Sequence, residues 1–115
     1  MPVIEVFEPT ELGPKGWGRE MLVARTPTTM AKVLYMNAGH SGPLQFHQKK
    51  DECFYLLSGQ AWVSSMRSGK LDRELMNPGQ SFYIPPGAVH KVEAITDCVL
   101  IESSNVVFDD RVAVE

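Results

Sequence analysis

Glycine and proline recur along this chain so often that no apolar pattern of helical period can run for three turns. Between these breakers lie short runs rich in β-branched and aromatic residues, the signature of strands joined by turns. Strands are predicted at Met21 to Ala24, Lys32 to Met36, Glu52 to Leu57, Gln60 to Ser64, Ser81 to Ile84, His90 to Ala94 and Cys98 to Glu102. Many short strands at regular spacing, with no internal repeat, indicate an all-β sandwich or barrel of jelly-roll type. At 115 residues the chain has room for one hydrophobic core, so residues 1–115 are read as a single domain. Val3 to Phe7, followed by Pro9 and a glycine-rich stretch, suggests that residues 1–15 form an N-terminal arm. Such an arm would dock on a partner, and a homodimer is expected.

Composition excludes several function classes. The formal net charge is −3 and no cluster of Lys and Arg could follow a phosphate backbone, so a nucleic-acid partner is not expected. The Lys49-Lys50 pair reads as a solvated loop. No apolar run approaches the roughly 20 residues needed to span a bilayer, and the first residues carry acids where a signal peptide carries bases. A cytoplasmic protein without a membrane partner is the expectation. Cys53 and Cys98 form no Cys-x-x-Cys pair and are read as reduced thiols with a structural role.

Two blocks carry chemistry. In the first, Gln45 and His47 are two residues apart, which on an extended strand places both on one face. A short turn then leads to Glu52 and can bring its carboxylate back toward the imidazole, with Phe54 and Leu56 on Glu52's own face as apolar packing. In the second, Pro85-Pro86-Gly87 makes a rigid turn that determines how His90 enters the next strand. Two imidazoles, one carboxylate and the Gln45 amide form a mixed nitrogen and oxygen set. Such a set suits a divalent transition metal (Zn, Mn, Fe, Ni or Co) and commonly leaves positions for water or substrate. Gln45 is either a fourth ligand or a group that orients His47 or a bound water. His40, between Gly39 and Ser41, reads as turn surface, and Trp17 and Trp62 as core or interface aromatics.

These blocks resemble the two motifs of the cupin superfamily. Glu52 is followed after six residues by Gly59, and Gly79 after five by Pro85-Pro86-Gly87, then after two by His90. Gln45 stands where the first histidine of the family's pair is usual, and Ala94 where a final asparagine is usual. The resemblance implies a cupin-type jelly-roll β-barrel, a double-stranded β-helix, with Gln45, His47, Glu52 and His90 at a metal site. Within the superfamily, the chain is similar from residue 16 onward to the cupin domain of type II mannose-6-phosphate isomerases. That similarity lies in Gly16-Trp17-Gly18-Arg19-Glu20, Leu44-Gln45-Phe46-His47, Tyr83 to His90, and Phe108-Asp109-Asp110-Arg111-Val112. It implies an aldose–ketose isomerase acting on an anionic sugar, with Lys50 and Arg111 as the catalytic-site cations that hold it. Ala113 occupies the position where the family's terminal arginine would align. Two other functions suit the same site: an Fe(II)-dependent dioxygenase, and a module that binds a small molecule without turning it over.

Overall fold

The computed structural model describes residues 1–114. Among these residues, eleven strands form two antiparallel sheets. They are β1 (Thr10–Lys15), β2 (Gly18–Arg25), β3 (Thr29–Met36), β4 (Gln45–His47), β5 (Glu52–Ser58), β6 (Ala61–Arg67), β7 (Lys70–Met76), β8 (Ser81–Ile84), β9 (His90–Ala94), β10 (Cys98–Asn105) and β11 (Arg111–Ala113). One sheet has the order β1-β2-β3-β10-β5-β8 and the other β11-β4-β9-β6-β7. Strands far apart in sequence are thus neighbours in each sheet, as in jelly-roll architectures.

The inner faces of both sheets meet in one core. Met36, Phe54, Leu56, Ile84, Cys98 and Leu100 come from the six-stranded sheet, and Ala61, Met76 and Ala94 from the other. Alternation selects these residues. In β5, Phe54 and Leu56 are buried while Tyr55 and Leu57 are exposed, because successive side chains point to opposite faces. Glu52 shares that inward parity and is buried with them.

All seven predicted strands are present, and four more accompany them. The least legible is β7, Lys-Leu-Asp-Arg-Glu-Leu-Met, whose first six residues are exposed. Nothing in that composition favours a strand. Pairing with β6 across the two-residue Ser68-Gly69 turn, both residues at positive φ, creates it. Its charges suit the exposed edge of a sheet. Of the residues expected as an arm, 1–9 have no regular structure and Thr10–Lys15 pair with β2 as an edge strand. Met1, Val3, Ile4 and Val6 are uncovered.

Gly59 closes the turn between β5 and β6 at φ +88°, and a Cβ there would meet the Asp97 carbonyl oxygen at 2.2 Å. Gly69 has a similar φ of +77° but open space around it. Gly59→Ala should therefore destabilise by more than Gly69→Ala, by about 2 kcal/mol or more, since both carry the left-handed strain and only one adds a backbone clash. Urea unfolding of the two variants checks this, and equal losses would contradict it.

Candidate metal centre

Four strands converge on the site. Strand β4 holds Gln45 and His47, β5 opens with Glu52, and β9 opens with His90 directly opposite Gln45. On the other flank of β4, β11 sets Arg111 opposite His47 and Ala113 opposite Gln45. The Pro85-Pro86-Gly87 turn ties the two blocks together: Gly87, at φ +85°, donates its N–H to the His47 carbonyl at 2.7 Å. The turn that aims His90 also clamps the strand bearing His47.

The tautomers follow from what each imidazole Nδ1 faces. His47 Nδ1 lies 2.9 Å from Asp110 Oδ1, and His90 Nδ1 lies 2.9 Å from the Ala88 carbonyl oxygen. Both partners accept only, so both Nδ1 atoms carry the proton and donate. When neutral, each ring then offers an Nε2 lone pair. His47 Nε2 is 3.3 Å and His90 Nε2 3.8 Å from Glu52 Oε2, and one ligand atom from each residue lies within 4.8 Å of the others. Glu52 Oε2 and Gln45 Oε1 are buried and lack a hydrogen-bond partner. Buried polar atoms are rarely left so. Electron pairs gathered around a space with no proton to share suit a cation, and the buried His–Glu–His triad is a candidate site for a divalent metal.

Electrostatics favour the deprotonated acid. Burial alone would push the Glu52 carboxyl up, but His47 and the ammonium of Lys50 outweigh it and hold it below the usual carboxylate range. Lys50 Nζ sits 3.3 Å from Glu52 Oε1 and 2.7 Å from Glu102 Oε2. Burial would lower the Lys50 pKa, and the two carboxylates raise it instead. The pair read as a solvated loop is therefore split: Lys49 is exposed and Lys50 buried. Glu102, only 3% exposed, is pushed up by burial, with Lys50 and Lys32 pulling the other way.

A cavity of about 400 Å³ between the sheets gives access to these groups, a size common for small-molecule sites. Gln45, His47, Lys50, Glu52, His90 and Arg111 all line it, so the six residues expected at the site reach one space. Arg111 is exposed. His40 is exposed as well, bonding to the carbonyl of its own turn. Trp17 packs against the core and lines the cavity, whereas Trp62 stacks under the Arg73 guanidinium at 3.9 Å.

Asp110 was not singled out as a site residue. One of its oxygens accepts from His47, and the other accepts the N–H groups of Lys49 and Lys50 at 2.7 and 2.8 Å. It thus fixes both the imidazole and the turn leading to Glu52. The Asp-Asp pair before β11 was its only trace in the sequence.

Residues 32–103 match the family model of the cupin domain. The chain belongs to the cupin family. Among curated proteins no sequence matches it. Among solved structures, the capsular polysaccharide assembling protein CapF from Staphylococcus aureus is similar with a TM-score of 0.83 at 21% identity, over 95% of this chain and 33% of that one. This cupin thus spans about a third of the CapF chain. KdgF from Halomonas sp. is similar with a TM-score of 0.73 at 24% identity, over 87% of this chain and 88% of that one. Oxalate oxidase in complex with the substrate analogue glycolate has a TM-score of 0.65 at 22% identity, over 75% of this chain and 46% of that one. At such identities the likeness establishes a shared fold. Among the described residues no helix is long and apolar enough to cross a membrane.

Metal and proton compete for His47 Nε2. The Glu52 carboxylate, 3.3 Å from the ring, raises the His47 pKa above 6.5 against the effect of burial, with further help from Asp110. A raised pKa means that protons begin to displace the metal above pH 6.5, as acid is added from pH 8. Metal titrations at successive pH values should show affinity already falling between pH 8 and 6.5. Asp110→Asn should lower the affinity at pH 8 by about 10- to 100-fold while moving the onset of its pH dependence to lower pH, because the same carboxylate that orients the ring also raises its pKa. An affinity flat down to pH 6 would contradict the assignment.

Proposed function

We propose that this cupin is a metal-dependent enzyme of small, oxygen-rich organic acids, with chemistry of the oxidative or lyase kind. The observation that carries the reading is the convergence of two imidazole Nε2 atoms and the unpartnered Glu52 Oε2 in the cavity between the sheets. His47, Glu52 and His90 are the proposed ligands, with the Gln45 amide oxygen as a fourth. A divalent metal held there would supply Lewis acidity and open positions for the carboxylate or hydroxyl oxygens of a substrate.

The chain's own groups do the rest. Asp110 holds the His47 ring in its ligating tautomer. Lys50 neutralises Glu52 and Glu102 at once, which keeps two buried carboxylates from repelling each other. Glu102, raised by burial and lining the cavity, is the side chain proposed to hold or move a proton beside the substrate. Arg111, exposed where the cavity opens, offers an incoming anion a guanidinium. Oxalate oxidase holding glycolate lends the reading a chemical parallel.

Sugar-phosphate isomerisation, the activity implied by the resemblance to type II mannose-6-phosphate isomerases, has less support. Lys50, one of the two cations expected to hold the anionic substrate, is buried between two carboxylates and offers a phosphate little free charge. The proposal retains a homodimer, supported by the uncovered apolar side chains of Val3, Ile4 and Val6. A monomer by light scattering at micromolar concentration would remove that part of it.

Metal analysis of the purified protein, with turnover assays on oxalate, glycolate and mannose 6-phosphate in an oxygen electrode, tests the main reading. The expected result is about one divalent ion per chain, consumption of one of the two acids, and loss of both ion and turnover in His90→Ala with the fold retained. Oxygen uptake coupled to substrate loss assigns oxidative chemistry, and substrate loss without it assigns lyase chemistry. A metal-loaded protein that turns over mannose 6-phosphate alone, or one that binds no ion at all, would overturn the reading. A metal-loaded protein inert toward all three would leave a non-catalytic binding module.

A further inference from the structure

The wall of the cavity carries more charge than the metal site needs. Register places Lys32, Glu102 and Phe54 side by side across β3, β10 and β5, with Met30, Ser104 and Glu52 in the next inward row. Lys32 therefore lies two strands across and two residues along from Glu52. That is about 12 Å between backbones, at ~4.8 Å per strand and ~3.3 Å per residue. Its side chain is 5% exposed, and its ammonium lies 2.8 Å from Glu20 Oε1. Glu20 in turn has Lys15 at 3.7 Å from its other oxygen. All three line the cavity, beside the apolar faces of Leu12, Trp17 and Phe108.

Nothing in the proposed chemistry at the metal uses this cluster, and as packing it is a poor choice. Around it, the inner wall of the same sheet is built from Leu22, Leu34 and Leu100. A lysine–glutamate pair with its lysine buried and its glutamate half-buried in such surroundings is commonly no more stable than an apolar pair of similar volume. An ammonium has three donors, and Glu20 engages one; a carboxylate has lone pairs beyond those that Lys32 and Lys15 use. A donor and an acceptor side by side match hydroxyl groups, each of which both accepts and donates.

We propose that Lys32 and Glu20 form a distal subsite that grips the hydroxyls of a polyhydroxylated acid of sugar length, whose carboxylate end lies at the metal. The subsite rests on the metal reading above. A short acid such as glycolate can occupy the metal end but cannot span to Lys32. The nearby aromatic and aliphatic side chains cover the carbon faces between the two ends.

Calorimetric titration of the metal-loaded protein with gluconate and with glycolate tests this. Gluconate should bind at least about 10-fold tighter than glycolate. Lys32→Met and Glu20→Gln should each weaken gluconate by about 10- to 100-fold, the worth of a hydrogen bond to a charged group, and leave glycolate affinity and metal content unchanged. Because a single replacement strands a buried charge, the double variant Lys32→Met/Glu20→Leu is the control. It should fold with the parent's thermal midpoint or a higher one and still lose the preference for gluconate. Metal-loaded parent protein that binds the two acids equally, or variants that weaken both acids alike, would overturn the subsite and leave the metal reading intact. A parent protein without metal would overturn both.

Discussion

A carboxylate buried to 2% exposure has to be compensated, and much of this fold serves that requirement. An isolated ion in such a place would cost several kcal/mol or would neutralise by taking up a proton. Glu52 does neither. One oxygen faces the Lys50 ammonium and the other faces two imidazole nitrogens. Lys50 is itself buried and needs Glu102 as well, and the alternation continues along the wall to Lys32 and Glu20. Charge of alternating sign thus threads an interior that is otherwise largely apolar. The oxygen that faces the imidazoles is left without a hydrogen bond, and that gap is where a cation fits.

Backbone geometry holds the arrangement in place. The Gly87 amide reaches the His47 carbonyl, so the second block's turn and the first block's strand cannot move independently. Asp110 spans from its place just before β11 to the His47 ring and to two backbone amides ahead of Glu52. Ligand positions therefore rest on strands and on a proline-stiffened turn rather than on free loops. Ligands held in this way lose little freedom when a metal binds.

The same physics explains why one family hosts different chemistries. Two sheets facing each other supply the cavity, and inward positions on β3, β5 and β10 line it. In this cupin three such positions, Lys32, Glu52 and Glu102, are charged, and their neighbours Met30, Phe54 and Leu100 are apolar. The choice of polar residue at a few inward sites sets what the cavity can recognise.

The sequence by itself determined the all-β class, because glycine and proline interrupt every helical period. It also determined the three candidate ligands His47, Glu52 and His90, since their spacing needs only strand alternation and one rigid turn to bring them together. The seven strands read from β-branched and aromatic runs each turn apolar side chains inward, where local composition and burial agree. Only the tertiary structure decided the rest. Strand β7 exists because a neighbour offers it hydrogen bonds, while its own residues are polar and exposed. Lys50 looked like solvent-facing charge until Glu102, 52 residues later in the chain, came to lie 2.7 Å away. Asp110 became a support for His47 across 63 residues of chain. Periodicity records which face a side chain takes, but not which distant strand lies beside it, and the partners of a buried charge are settled by that adjacency.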